Sequence, residues 1–177
     1  MSWAPLARAA TVGALVVGCL AACGGGPSAE QWTGQVCGAL VPWRVTIADL
    51  NTRAQQQLSA AHTPTEVRTS LLDLLAGGAS ASETARVAVA AAGTPDAAGG
   101  AAVAARFVAS LTGMRDAYAR ARTDLAALPT GDPPAFYRSV AAVLARLNTE
   151  YAASGVDTSK LDAPELRASF DKVDKCR

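Results

Sequence analysis

Apolar residues recur at three- and four-residue steps through most of this chain, the spacing that lines one face of an α-helix. From about Glu30 to Ala60 the stripe is Trp32, Val36, Leu40, Trp43, Ile47, Leu50, Ala54 and Leu58. Pro42 stands inside it. Proline removes a hydrogen bond and crowds the preceding turn, which predicts a kink or a later helix start. A second stripe, Val67, Leu71, Leu74, Gly78, Ala81, Ala85 and Ala88, follows Thr63-Pro64-Thr65-Glu66. There Thr63 can cap, Pro64 suits the first turn, and Glu66 completes a capping box. Gly77-Gly78 predict a loosening or bend, and Gly93 a stop. Val87 and Val89 fall off this stripe; they fill a second buried face or form an exposed apolar patch.

The third stripe is Val103, Phe107, Leu111, Met114, Tyr118, Ala121, Leu125 and Leu128. Its helix is expected to open at Thr94-Pro95-Asp96, with first turns weakened by Gly99-Gly100. A fourth helix, capped by Asp132 with Pro133 at its first position, carries Phe136, Val140, Val143, Leu144, Leu147 and Tyr151. A short last helix is expected from Asp162-Ala163-Pro164-Glu165, read as another capping box, through Leu166, Phe170 and Val173. Sustained strand alternation is missing from the pattern. The expectation is an all-α fold: an up-down four-helix bundle plus a short C-terminal helix, occupying residues 30–177. Small residues on helices two and three predict that those two pack closely.

Composition narrows the chemistry. Apolar residues are 50% of the chain but aromatics only 5%, and alanine, the best helix former, makes most of the difference. Sixteen Lys and Arg stand against 15 Asp and Glu, so there is no electrostatic footprint for nucleic acid. Asp49 with Arg53 and Asp116 with Arg120 lie four apart and are expected as ion pairs on solvated helix faces. Glu66, Asp73, Glu83 and Glu150 are scattered without a Glu-x-x-His partner, which disfavours a di-metal bundle site. The glycine pairs lack the strand and lysine of a phosphate-binding loop. His62 is the single histidine and falls between helices one and two, with no nucleophile and acid beside it in sequence. No catalytic residue, metal ligand or cofactor is therefore expected, and the chain is read as a non-enzyme.

Residues 1–22 have the layout of a cleavable signal segment. Arg8 and the amino terminus supply positive charge, and Ala9 to Ala22 an apolar run too short for an ordinary membrane span. Leu20-Ala21-Ala22-Cys23 closes the run and resembles the lipobox of bacterial lipoproteins at every position. Val16-Val17-Gly18-Cys19 is a second, poorer match. The resemblance implies cleavage before Cys23 and acylation there, and two or more chains suffice for stable anchoring. With Cys23 as anchor, Cys37 and Cys176 remain as an even pair; with Cys19 an odd thiol is left over. Loss of Arg8 brings the balance to 15 basic against 15 acidic residues. Residues 23–29 read as a flexible tether. The alanine- and arginine-rich composition is similar in style to lipoproteins of high-GC actinobacteria. The resemblance places the protein at the cell membrane, lipid-anchored, on the extracytoplasmic face.

In that compartment disulfides persist, and a Cys37–Cys176 bridge would close almost the whole domain; two separate thiols are the alternative. Two cysteines and one histidine cannot complete a zinc site. Trp32 and Trp43, eleven residues apart, return to one helix face. They are core, or they line a ligand groove. Two functions follow: a helical binding or scaffold module of the cell envelope with a protein or wall partner, or a carrier of a lipid or small apolar ligand between its helices. A tight core with an exposed apolar patch favours the first, and a large apolar cavity the second.

Overall fold

A computed structural model describes residues 25–176. The lipobox, Cys23 and its rival Cys19 lie outside the described residues. Four long helices follow one another: α1 (Ala29–Ala60), α2 (Pro64–Ala91), α3 (Gly100–Ala126) and α4 (Pro133–Ala153). A 3-10 turn (Thr158–Lys160), the short α5 (Pro164–Lys172) and a last 3-10 turn (Asp174–Cys176) complete the chain. The fold is the expected all-α up-down bundle with a short C-terminal helix. No helix among the described residues is long and apolar enough to cross a membrane.

The caps follow the chemistry of the turns. Ser28 Oγ accepts from the Gln31 N–H while Gln31 Oε1 accepts from the Ser28 N–H, a capping box that starts α1. Thr63 and Glu66 make the same reciprocal pair at α2. Asp132 Oδ1 accepts from the Ala135 N–H at 3.2 Å to start α4, ahead of Pro133 and Pro134. α1 begins before Pro42 and runs through it, so the alternative of a later start is overturned. One turn back stands the exposed Gly38, where a side chain would find open space, so the proline ring meets no side chain there.

Two helix starts differ from expectation. α3 begins at Gly100, not at Thr94. Gly99 takes φ +75°, a left-handed conformation that ends the preceding loop, and Gly100 abuts the Pro95 carbonyl. Residues 94–99 are instead a loop on which the N-terminal segment lies. The Asp96 N–H donates to the Pro27 carbonyl at 2.8 Å, and Gly26 approaches the Thr94 carbonyl too closely for any side chain. Part of the stretch expected as a flexible tether is thus laid along the bundle. At α5 the cap position is Ala163, without a side-chain hydrogen bond, so the Asp162 capping box is not made. The Asp162 carbonyl packs under Gly99 instead.

α2 lies between α1 and α3, and α4 packs chiefly on α3. Its buried face is Leu71, Leu75, Gly78, Ser82, Ala85 and Val89. The stripe read from sequence drifts off this face, because α2 is covered on two sides and its alanines carry little contrast. Val89 belongs to the core and Val87 to the surface. The close approach of α2 to its neighbours uses Gly77 against Leu50 and Gly78 against the Tyr118 ring.

The core has two lobes. One gathers the start of α1, the end of α2, the start of α3 and α5, around Trp32, Val89, Phe107 and Leu166. The other joins the start of α2, the end of α3 and α4, around Leu75, Leu125 and Phe136. Tyr151 packs against both. α1 and α4 meet through side chains, Trp43 stacking on Tyr151 at 6.5 Å between ring centres.

The helical charges pair both within and across helices. Asp116 binds Arg115, and Arg120 reaches Glu150 on α4 at 2.8 Å, so the expected Asp116–Arg120 pair is not formed. Arg53 donates to the Asp49 main-chain carbonyl, not to its carboxylate. Arg120 is long enough to find an acceptor on the neighbouring helix, whereas Arg53 turns back onto the main chain of its own.

Candidate ligand cleft

α5 folds back along the first half of α1, and the C-terminal turn is joined to α1 by a disulfide. Cys37 and Cys176 have Cα atoms 5.1 Å apart and sulfurs 2.04 Å apart, across 139 residues of sequence. Between this strap, α1, α3 and the α4–α5 connection opens a cleft of about 570 Å³. That volume falls within the usual range for small-molecule sites, roughly 300–1,000 Å³. Its floor is apolar: Leu40 and Trp43 from α1, Phe107, Leu111 and Met114 from α3, and Phe170 from α5. Arg44, Thr158 and Asp171 stand among its polar margin.

An aromatic cluster shapes the floor. Phe107 stacks on Phe170 at 5.5 Å, and Trp32 meets the edges of both, at 5.6 and 6.3 Å. The two tryptophans singled out by spacing separate here. Trp32 is fully buried behind the phenylalanines, its indole N–H donating to the Gly93 carbonyl at 2.9 Å. Trp43 is half-buried, lines the cleft, and donates to Ser82 Oγ at 3.2 Å. That bond and the stacking on Tyr151 fix the indole where it borders the cleft.

Burial pushes the Tyr118 hydroxyl up to about 12, with Tyr151 beside it adding to the effect, and burial raises Tyr151 as well. Both phenols stay neutral at any physiological pH. Outside the cleft, Glu83 is held by Arg86 and Arg115 at 2.6 and 2.8 Å, hydrogen bonds that lower its carboxyl to about 2. His62 is exposed in the α1–α2 turn, and its main-chain N–H joins Thr63 in donating to Glu66, which lowers that carboxyl. No group of three or more metal-ligating side chains occurs among the described residues.

Sequence periodicity found Trp43 and the α3 residues Phe107, Leu111 and Met114 as stripe members, but not as neighbours of Phe170. Ser82 was missed. Its signal was a hydroxyl on the buried face of α2, four residues past Gly78. No protein-family model, curated protein or solved structure matches the chain.

Proposed function

We propose that this chain is a lipid-anchored, extracytoplasmic helical protein that holds a lipid chain or other small apolar ligand in the cleft between α1, α3 and α5. The observation that carries the reading is the cleft itself: a half-open space of about 570 Å³ floored by Leu40, Trp43, Phe107, Leu111, Met114 and Phe170 and backed by the stacked Phe107–Phe170 pair. Anchoring rests on the lipobox resemblance at Cys23. A binding or scaffold module contacting an envelope protein is the second reading. Val41 and Val45 favour it, one helical turn apart on α1 and 39% and 55% exposed.

Calorimetric titration with palmitate tests the carrier. Binding is expected in the parent, and Val156→Trp, which fills the cleft from the α4–α5 connection, should abolish it with far-UV dichroism unchanged. Equal binding by the filled variant would refute the site. Native mass spectrometry of protein released from its own membrane tests the occupant, and intact mass tests the anchor. A chain beginning at unmodified Cys23 would end the lipoprotein reading.

A further inference from the structure

The segment ahead of α1 is seated on the bundle by its backbone. The Pro27 carbonyl accepts from the Asp96 N–H at 2.8 Å, and Ala29, the first residue of α1, is buried. A Cβ at Gly26 would collide with the Thr94 carbonyl, and one at Gly25 would stand 3.1 Å from the Asp96 carboxylate. The Gly26 contact is with main chain, so no change of rotamer relieves it and the close approach requires glycine. Only Gly24 separates Gly25 from Cys23. Two residue steps span at most about 7 Å. A group attached to Cys23 is therefore held within that reach of the seated segment, not at the end of a long free tether.

One end of the bundle gathers around this seat. The start of α1, the α2–α3 loop and the start of α5 meet there, with the Asp162 carbonyl against Gly99. The α1–α2 and α3–α4 turns lie at the other end, where the Thr65 and Thr130 hydroxyls meet at 3.4 Å. The 32 residues of α1 put about 48 Å between the two ends.

We infer that the acylated chain stands end-on at the membrane, with the 94–99 loop as the surface that meets the bilayer. The inference rests on the anchor at Cys23 proposed above and does not require the ligand. The acyl chains seat this end, and charge does not: Glu30, Asp96, Asp162 and Glu165 are exposed there and repel anionic headgroups. The cleft then lies in the membrane-near half of the bundle. Its α1 wall runs from Cys37 to Arg44, roughly 12–22 Å from the start of that helix, close enough to the bilayer for an acyl chain to come from the membrane below. The far turns, with His62 and Gly131, point away from the membrane.

The test uses the acylated protein in phosphatidylcholine vesicles that carry a headgroup-nitroxide lipid. A fluorophore is attached at Ala98→Cys or at Gly131→Cys, exposed positions at opposite ends. Quenching should be several-fold stronger for Ala98→Cys than for Gly131→Cys. Gly26→Ala, which unseats the segment, should bring the two labels toward equal quenching while the protein stays on the vesicles. An insertion of about 20 Gly and Ser residues after Gly24 should do the same without touching the loop, so the outcome does not depend on how Gly26→Ala folds. Equal quenching of the two labels in the parent chain, or a difference that survives both changes, would overturn the end-on seat and leave the anchor standing. A chain that carries no acyl group and washes off the vesicles would overturn both.

Discussion

Replacing Gly78 by alanine sets helix propensity against packing, and its neighbour Gly77 supplies the control. Both glycines sit in the interior of α2, where alanine is favoured over glycine by about 0.8–1.0 kcal/mol. That term is common to the two variants and cancels in their difference. What remains is tertiary. A Cβ at Gly78 would lie 2.7 Å from Tyr118 Cε1 and 2.8 Å from its Cδ1 and Cζ. The ring is 8% exposed and edges against Tyr151 at 6.0 Å, so it has little room to retreat. Overpacking of that kind costs about 1–3 kcal/mol. A Cβ at Gly77 would lie 2.5 Å from Leu50 Cδ2, a closer approach, yet Leu50 is half-buried beside an open groove and can change rotamer. Gly77→Ala should therefore be neutral to stabilising, and Gly78→Ala destabilising by up to about 2 kcal/mol after the propensity gain. The assay is urea unfolding followed by dichroism at 222 nm. With a urea slope of about 2 kcal/mol/M, the midpoints of the two variants should differ by roughly 1 M. Equal midpoints, or a Gly78→Ala protein more stable than Gly77→Ala, would refute the claim that the α2–α3 approach is set by a rigid aromatic ring.

Further outcomes follow from the same structure. Thr33 is fully buried, and its Oγ1 has no hydrogen-bond partner among the described residues, so Thr33→Val should raise stability by about 1 kcal/mol; a fall in the urea midpoint would contradict this. Closing 139 residues by the disulfide is worth up to about 5 kcal/mol in the chain-entropy model, so reduction should lower the melting temperature steeply, and an unchanged melt would count against the bridge. Ser82→Ala leaves the Trp43 N–H without its acceptor and should cost about 1 kcal/mol, with a shift in Trp43 emission as the local readout. Glu83 has its carboxyl lowered to about 2, chiefly by Arg86 and then Arg115. A lowered folded-state value means stability present above the unfolded value near 4.5 and lost as pH falls toward 2. Glu83→Gln should therefore reduce the loss of stability between pH 5 and about 2. An identical acid profile in the variant would remove Glu83 from the account.

Much of the helix map was legible in the chain because caps are local. Thr63 and Asp132 each need only residues within one turn, and helices start beside both, whereas Ser28, read as tether, proves to cap α1. Thr94 and Asp162 carry similar chemistry and fail to cap. At both places a distant main chain intervenes: Pro27 takes the Asp96 N–H, and Gly99 presses on the Asp162 carbonyl. The buried face of α2 was misread for a related reason. Periodicity assigns one face to a helix, whereas α2 is covered by α1 and α3 together.

By itself the sequence determined the fold class and the four long helices, and a count of thiols suggested the Cys37–Cys176 pair that the structure joins. These depend on propensity, local capping and parity, which act over a few residues or need only a count. Tertiary structure alone decided that Trp32 is core while Trp43 faces a cleft, that Phe170 stacks on Phe107, and that the bridge forms part of the wall. Those facts depend on where α5 returns against α1. A nine-residue helix at the end of the chain finds that place by long-range burial of Leu166 and Phe170, which no local pattern encodes.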